Sequence, residues 1–292
     1  MSITRVGIVA KSRLQAATPS LIEVEKWLAD HEVEPIFETA TAALMPPDAK
    51  RRVEDKNSLV RSVGFVLVLG GDGTLLSMAD CIGRAGVHVP ILGVNFGSLG
   101  FLTEVTLPEL HPALEAALAG TARVEERLTL QATITRANAE PTSDVAVNDV
   151  VINKGARSRL IDLSIFVQDG LVSTVRADGL IIATPTGSTA YNLAAGGPIV
   201  QPNVDALVLT PIAPHTLTNR PIVIPSSSSV RVKPMMDERD EVFVTFDGQA
   251  GCELHAGDEI TVCRAREPMR LIRPATRSYF EVLREKLNWG KR

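Results

Sequence analysis

A glycine-rich turn, Gly70-Gly71-Asp72-Gly73-Thr74, separates an apolar run from a helical pattern. Glycine lets a phosphate group approach the backbone closely, and the free N–H groups at a helix N-terminus bind anions. Asp72 would stand at the mouth of this turn. The segment lacks both the Gly-Lys-Ser/Thr ending of a P-loop and the third glycine of a dinucleotide-binding turn. It therefore indicates a phosphate site of another kind, or else a tight strand-to-helix turn in which Asp72 caps the helix.

A second polar segment covers residues 178–191. After an apolar run it carries four hydroxyl side chains within six residues, namely Thr184, Thr186, Ser188 and Thr189. One hydroxyl is enough to cap a helix, so the surplus indicates hydrogen bonds to the ribose or the phosphates of a ligand. A turn that binds no ligand is the alternative.

The elements that must position these two segments differ between the two parts of the chain. Before residue 120, short β-branched runs alternate with helical patterns, which is typical of an α/β domain with a parallel sheet. The pattern predicts strands over residues 6–10, 65–69 and 90–94, and helices over residues 19–31, 75–84 and part of 107–120. The glycine turn thus links a buried strand to a helix.

Strand patterns dominate the rest of the chain, where helix signals nearly vanish. The predicted strands cover residues 127–136, 145–153, 161–167, 171–176, 206–209, 222–224, 230–232, 241–246 and 259–263. A second, mainly β domain is therefore expected, with the boundary near residue 105. Helical periodicity over residues 278–287 predicts a terminal helix that returns to the first domain. We accordingly assign residues 1–105 and about 275–292 to the first domain, and residues 106–274 to the second.

Composition excludes several classes of protein. The 292 residues are 45% apolar and 22% charged, as in an ordinary globular protein. A formal net charge of −4 argues against a nucleic-acid-binding face, which needs clustered Lys and Arg. The three cysteines and the histidines have neither disulfide nor metal-ligand spacing. The first residues show no charged-then-apolar signal pattern and no apolar run approaches about 18 residues, so we expect a cytoplasmic protein without a membrane partner.

Taken together, the motifs resemble those of the NAD kinase family. The glycine turn is followed, in the family's order and spacing, by residues 95–102, Asn148-Asp149, residues 184–191 and Asp247-Gly248-Gln249. The resemblance implies a Rossmann-like α/β N-terminal domain, a β-sandwich C-terminal domain and a homodimer or homotetramer. It further implies phosphoryl transfer from ATP, accompanied by Mg²⁺ or another divalent metal, to the 2′-hydroxyl of the adenosine ribose of NAD.

The resemblance also implies roles for individual residues. Asp72 is implied as the catalytic base, next to Gly73 in the phosphate-binding turn. Asn148 and Asp149 are implied to bind ribose hydroxyls, although the family often has Glu where this chain has Asp149. The other implied ligand contacts are Phe101, Thr189 and Tyr191 around adenine, Asp178 and Ala190 at the nicotinamide end, and Arg159, Arg176, Thr186, Asn192, Leu193, Ala194 and Gln249. Arg176 would meet the pyrophosphate or stand as a solvated charge at a strand end.

Two other functions are compatible with part of this pattern. Lipid and sugar kinases also use Gly-Gly-Asp-Gly at a strand-to-helix turn, but residues 184–191 together with Asn148-Asp149 favour a dinucleotide acceptor. A non-catalytic NADP or nucleotide sensor would keep the pocket, yet a protein that only binds gains little from a carboxylate beside phosphates. The sequence leaves open whether the donor is ATP or polyphosphate, and whether NAD or NADH is preferred.

Overall fold

The computed structural model describes residues 3–97, 99–137, 139–155, 159–237, 240–249, 251–273 and 277–290. The chain divides into two compact units, Met1–Glu126 with Met269–Arg292, and Arg127–Pro268. Two features named from the sequence, Ser98 of the 95–102 motif and the resumption of the first domain at about residue 275, lie outside the described residues.

Twenty β-strands lie within the described residues. They are β1 (Arg5–Ala10), β2 (Glu34–Glu38), β3 (Arg52–Glu54), β4 (Phe65–Gly70), β5 (Ile91–Asn95), β6 (Val105–Thr106), β7 (Arg123–Arg127), β8 (Leu130–Arg136), β9 (Ala139–Ala146), β10 (Asp149–Lys154), β11 (Ile161–Val167), β12 (Gly170–Ala177), β13 (Gly179–Ala183), β14 (Ala206–Ile212), β15 (Ile222–Pro225), β16 (Val230–Met235), β17 (Val242–Phe246), β18 (Cys252–Leu254), β19 (Glu259–Arg264) and β20 (Met269–Arg273).

The α-helices are α1 (Thr18–Asp30), α2 (Thr39–Ala42), α3 (Lys56–Ser62), α4 (Asp72–Ala85), α5 (Leu110–Leu118), α6 (Tyr191–Ala194) and α7 (Tyr279–Leu287). Within the part of the chain that the structure describes, no helix combines the length and the apolar character needed to cross a membrane.

The first unit is built on one sheet with the strand order β3-β2-β1-β4-β5-β20-β7, and β6 pairs with β5. The pairs β1·β2, β1·β4 and β4·β5 are parallel. All six residues of β4 are buried, as expected for a parallel strand that is covered on both faces. The order 3-2-1-4-5 is that of a doubly wound fold, so the predicted Rossmann-like domain is confirmed. In such sheets ligands bind beyond the carboxyl ends of the strands where the order reverses, here between β1 and β4.

This unit extends beyond the boundary near residue 105 that the sequence pattern indicates. Helix α5 buries Leu110 and Leu114 in the same core as Val6 and Ile8 of β1. Strands β7 and β20 also belong to its sheet. The division found in the structure therefore follows Glu126 instead.

Helix α7 belongs to the first unit, which confirms that the terminal helix returns to it. The helix begins with a capping box, in which the Ser278 hydroxyl accepts a hydrogen bond from the Glu281 amide and the Glu281 carboxylate accepts one from the Ser278 amide. These contacts satisfy backbone donors that the first turn of a helix leaves without intrahelical partners.

The second unit contains two six-stranded sheets, β15-β14-β13-β10-β17-β18 and β12-β11-β16-β19-β8-β9. Neighbouring strands such as β10·β13 and β11·β16 are antiparallel. Val150 of the first sheet and Leu163 and Val232 of the second belong to one buried cluster, so the sheets pack face to face. The predicted β-sandwich domain is therefore confirmed.

One predicted strand of this unit was wrong. The pattern over residues 145–153 suggests a single strand, whereas β9 ends at Ala146 and β10 begins at Asp149 in the other sheet. Ala146 before the link and Val150 and Ile152 after it all face the shared core. The change from one sheet to the other therefore leaves no break in the apolar pattern. Val147 and Asn148 form the link between the sheets.

Truncation of Glu104 is expected to destabilise the first unit strongly. Glu104 and Arg273 are both almost fully buried, and the Arg273 guanidinium donates to Glu104 and, at 3.1 Å, to Glu125. Breaking a buried ion pair costs about 3–5 kcal/mol, and without Glu104 the Arg273 charge would be compensated, among the residues described, by Glu125 alone. We expect Glu104→Ala to lower the free energy of unfolding in urea by about this amount. The exposed pair of Glu34 with Arg5 is the control, and Glu34→Ala should cost less than about 1 kcal/mol. Equal losses of unfolding free energy in Glu104→Ala and Glu34→Ala would contradict the stabilising role of the buried ion pair.

Candidate functional site

The glycine turn joins β4 to α4, and the helix begins at Asp72, three residues earlier than the sequence pattern indicates. Gly71 is the N-cap residue, and no side chain caps this helix. A Cβ atom added at Gly71 or Gly73 would meet nothing within 4 Å, so open space lies beside this backbone. The turn thus combines an accessible backbone with the N-terminus of a 14-residue helix.

The Asp72 carboxylate faces the loop that follows β5 and does not cap its own helix. Its Oδ1 accepts hydrogen bonds from the amides of Leu102 (3.1 Å) and Thr103 (3.0 Å) and from the Thr103 hydroxyl (2.9 Å). Among the described residues, its Oδ2 accepts a hydrogen bond from the Phe101 amide alone, at 2.9 Å. The helix-cap alternative is therefore wrong. A carboxylate oxygen has about two lone-pair sites, so Oδ2 is the oxygen with capacity for a further donor.

The loop of residues 95–102 is shaped to receive this carboxylate. A Cβ atom at Gly100 would collide with Asp72 Oδ1 and with the Thr103 hydroxyl, so glycine is required by the close approach. The Asn95 amide donates to the Thr103 hydroxyl at 2.9 Å and thereby orients it towards Asp72. Thr103 was not predicted from the sequence, because it lies one residue beyond the 95–102 motif.

In the second unit, the link between β9 and β10 is held by a carboxylate from another loop. Asp247 accepts hydrogen bonds from the amides of Val147 (2.8 Å), Asn148 (2.6 Å) and Asp149 (3.1 Å). Asp247 has a positive φ of 51° and is followed by Gly248 with a φ of 67°, a tight turn that aims the carboxylate back at the link. The sequence motif named Asp247 without a role, and the structure shows it to be a positioning residue for Asn148 and Asp149.

Asn148 and Asp149 both retain hydrogen-bonding capacity. Within the described residues, neither the half-buried Asn148 amide nor the Asp149 carboxylate has a hydrogen-bond partner on another side chain or on the backbone. Asp149 is only 3% exposed. Burial, with a smaller contribution from the nearby Asp247 charge, raises the pKa of the Asp149 carboxyl to about 7. A buried carboxyl without a partner is costly for the fold, which is a common property of binding sites.

The hydroxyl-rich segment lies directly against this pair. The Thr184 amide donates to the Asn148 carbonyl at 2.9 Å, and a Cβ atom at Gly187 would collide with the same carbonyl. The segment continues through a short 3₁₀ turn, Gly187–Thr189, into α6. The structure thus places the segment that carries Thr186, Thr189 and Ala190 against the Asn148 backbone.

Several polar groups of this segment serve the fold, contrary to the expectation from their number. The Thr184 hydroxyl donates to the Val147 carbonyl at 2.6 Å, and the Ser188 hydroxyl donates to the Pro185 carbonyl at 2.6 Å. The Asn192 side chain donates to the Ser188 and Pro198 carbonyls and accepts from the Thr210 hydroxyl. Asn192 is fully buried, and its side-chain amide holds the segment to neighbouring backbone. Because Thr184 and Ser188 also have partners within the fold, the number of hydroxyls by itself does not indicate a ligand.

The remaining predicted contacts of the segment are more accessible. Tyr191 is 45% exposed at the start of α6, Ala194 is exposed, and Ala190 and Leu193 are half-buried. Thr189 donates only a long hydrogen bond of 3.3 Å, to the Thr186 carbonyl. These side chains are free to contact a bound molecule.

Asp178 and Arg176 lie at the other end of strand β13. Asp178 precedes this strand and Thr184 follows it, which separates them by about 20 Å along the extended chain. The Asp178 carboxylate is 3.5 Å from the Lys154 ammonium, and Arg176 is exposed at the end of β12. Arg159 and Gln249 are also exposed, Gln249 two residues after Asp247. The structure therefore does not place Asp178 and Arg176 beside Asn148.

The first unit is a doubly wound α/β fold with a carboxylate in a phosphate-type turn, and the second is a β-sandwich whose Asn148-Asp149 pair retains hydrogen-bonding capacity. These features indicate a nucleotide phosphotransferase. Comparison with known proteins makes the assignment specific. Residues 6–122 match the family model of the ATP-NAD kinase N-terminal domain, and residues 147–274 match that of the ATP-NAD kinase C-terminal domain. The chain belongs to the NAD kinase family.

Individual relatives agree along the whole chain. An NAD kinase of Geobacter metallireducens is 46% identical over 291 residues, which cover 99% of both chains. An NAD kinase of Geobacter sulfurreducens is 54% identical over 228 residues, 78% of this chain and 79% of that one. Yeast NADH kinase, solved in complex with NADH, superposes with a TM-score of 0.91 at 28% identity, covering 100% of this chain and 89% of that one. The NAD kinase from Archaeoglobus fulgidus, solved in complex with ATP, has a TM-score of 0.77 at 26% identity and covers 96% and 99%.

Proposed function

We propose that this protein transfers the γ-phosphoryl group of ATP to the 2′-hydroxyl of the adenosine ribose of NAD, giving NADP. The observation that carries the proposal is the position of Asp72 at a phosphate-type turn, with an Oδ2 that can accept one further hydrogen bond, in a chain that belongs to the NAD kinase family throughout. Neither the lipid- or sugar-kinase alternative nor the sensor alternative has a comparable observation in its favour.

Asp72 acts as the base for the acceptor hydroxyl. Its Oδ2 accepts the hydrogen bond of the 2′-hydroxyl and takes its proton as the oxygen attacks the γ-phosphorus, while the β–γ bridging oxygen leaves with ADP. An aspartate is a weak base for an alcohol. Since phosphoryl transfer has a loose transition state, most of the rate comes from alignment and charge neutralisation. The hydrogen bonds from residues 101–103 supply that alignment by fixing the carboxylate.

The acceptor dinucleotide is bound by the second unit. Asn148 and Asp149 have the free amide and carboxylate groups that pair with the vicinal hydroxyls of a ribose. Tyr191, with Thr189 beside it, offers an exposed aromatic face for a base. Arg159, Arg176, Asp178 and Gln249 are proposed as further contacts of the dinucleotide.

Magnesium accompanies the donor as part of the substrate. Among the described residues, no three His, Cys, Asp or Glu side chains cluster as metal ligands. Mg²⁺ readily keeps water ligands and binds through substrate phosphates with few protein groups. It would supply charge neutralisation on the β- and γ-phosphates.

The test is NADP formation by the purified protein with NAD, ATP and Mg²⁺, followed through an NADP-specific dehydrogenase. Parallel reactions with NADH as acceptor, and with polyphosphate as donor, identify the preferred substrates. Diacylglycerol and fructose 6-phosphate serve as negative controls, and phosphorylation of either one without NADP formation would refute the proposal. We also propose a cytoplasmic homo-oligomer, for which light scattering after gel filtration measures whether it is a dimer or a tetramer.

A further inference from the structure

A cavity of about 430 Å³ lies at the carboxyl ends of β1 and β4. Its lining includes Lys11, Glu38, Lys56, Gly71, Gly73 and Ser77. The lining brings the glycine turn together with residues that no motif indicated. The place is the switch point of the doubly wound sheet, where this fold class binds ligands.

Lys56 is held in this cavity by neighbouring elements. It is the first residue of α3, whose N-cap Asp55 accepts hydrogen bonds from the amides of Asn57 and Ser58. The Lys56 ammonium donates to the Ser77 hydroxyl of α4 at 2.8 Å. An ammonium has three donors, so two are left to face the cavity.

Lys11 supplies a second cation to the lining of the cavity. It follows β1 directly, and its amide donates to the Leu69 carbonyl of β4 at 2.9 Å, which fixes the backbone beside the glycine turn. Its side chain is exposed and has no ion-pair partner among the described residues. It is therefore able to move onto a ligand.

The acidic residue of the lining is engaged elsewhere. Glu38 Oε2 accepts hydrogen bonds from the amide (2.9 Å) and hydroxyl (3.0 Å) of Thr41, as the cap of α2. The Thr41 hydroxyl in turn accepts from the Ala10 amide at 2.8 Å. The lining thus carries two positive lysine charges against one carboxylate, and that carboxylate is hydrogen-bonded to α2. Among the described residues, no aromatic side chain lines the cavity, so its chemistry suits a chain of phosphates and not a base.

We propose that Lys11 and Lys56 bind the phosphate chain of the donor, Lys56 as a cation held in place by Ser77 and Lys11 as a mobile cation that closes onto the chain. The inference rests on the proposed function, because it names the donor side of the same reaction. Gly71 and Gly73 line the same cavity as the two lysines, which puts the terminal phosphate beside the glycine turn.

Lysine-to-methionine variants test this assignment, since methionine keeps the apolar stem and removes the charge. We expect Lys11→Met and Lys56→Met each to raise the KM for ATP about tenfold or more, with the KM for NAD changed less than twofold. Ser77→Ala should raise the KM for ATP by a smaller factor, and Lys56→Arg should restore most of the ATP affinity. Lys26→Met, which changes an exposed lysine of α1, is the matched control and should change neither constant.

A second readout does not depend on turnover. Titration calorimetry with inorganic tripolyphosphate should show binding to the unmodified protein that weakens about tenfold in each lysine variant and is unchanged in Lys26→Met. If the unmodified protein forms NADP while both lysine variants keep their ATP KM and tripolyphosphate affinity, the inference is wrong. If it forms no NADP, the proposed function fails, and tripolyphosphate binding still decides whether the lysines hold a phosphate chain. Because Lys11 is exposed, its variant keeps the test valid even where Lys56→Met fails to fold.

Discussion

Asp72→Asn is expected to lower kcat by about 100- to 10,000-fold, while the dissociation constant for NAD stays within a few-fold. The amide cannot accept the proton of the acceptor hydroxyl. The NAD contacts proposed for the second unit are untouched by the change. Single-turnover kinetics of NADP formation and calorimetric titration with NAD measure the two quantities separately.

Asp72→Asn also changes the hydrogen bonds that residue 72 makes with the following loop. Thr103→Val separates this effect on loop order from the effect on proton transfer. Asn at position 72 keeps one acceptor oxygen and turns an NH₂ group towards backbone amides that also donate, so the loop of residues 101–103 should loosen. Thr103→Val removes the hydroxyl donor to Oδ1 but leaves the carboxylate in place. It should lower the melting temperature and keep kcat within about tenfold. A kcat loss in Thr103→Val as large as that in Asp72→Asn would show that loop order, and not proton transfer, accounts for the effect.

The sequence predicted the fold where local pattern and tertiary environment agree. Strand β4 is buried along its whole length and reads as an unbroken apolar run, and the capping box of α7 is visible as Ser278 and Glu281. The segment between residues 34 and 62 was not recognised, because β3 has three residues and α3 has seven, too few to establish a periodicity. A local signal for α3 was present in the Asp55 cap followed by Ser58.

The candidate site was predicted in its residue types but not in its hydrogen bonds. Glycine turns and the Asn148-Asp149 pair are short motifs that the sequence displays. The contacts of Asp72 with residues 101–103 and of Asp247 with residues 147–149 span about 30 and 100 positions, so no local pattern reveals them. The hydroxyl of Ser188 and the amide of Asn192 looked like ligand groups because sequence shows a polar atom and not its partner. Lys56 was missed for the converse reason, since a single lysine on a short helix carries no motif.

Asp149→Asn is expected to stabilise the protein at pH 8 and to weaken NAD binding. The pKa of the Asp149 carboxyl is about 7 in the folded protein, against an ordinary value of 3.8, because burial disfavours the charged form and Asp247 repels it. Between these two values the folded state holds more protons than the unfolded state, so the free energy of unfolding falls as the pH rises through this window. Above pH 7 the loss reaches roughly 2–4 kcal/mol.

Urea unfolding at pH 4 and pH 8 measures this contribution. The neutral asparagine has nearly the same shape, so Asp149→Asn should be more stable than the parent by roughly 2–4 kcal/mol at pH 8 and nearly equal at pH 4. Asp169→Asn, in an exposed turn, is the matched control and should show no such pH dependence. If Asp149→Asn is no more stable than the parent at pH 8, the charge of Asp149 is already compensated by its surroundings in the folded protein.

The same titration governs binding if the ionised carboxylate accepts the ribose hydroxyls. NAD affinity of the parent should then rise as the pH increases through about 7, whereas Asp149→Asn should bind more weakly and lose this pH dependence. Two vicinal hydroxyls donating to the carboxylate would favour its charged form, so NAD binding should also release a fraction of a proton near pH 7. Calorimetric titrations in buffers of different ionisation enthalpy measure that release. Affinity that is flat from pH 6 to 8, with no proton released, would remove Asp149 from the ribose site and leave its burial without a functional explanation.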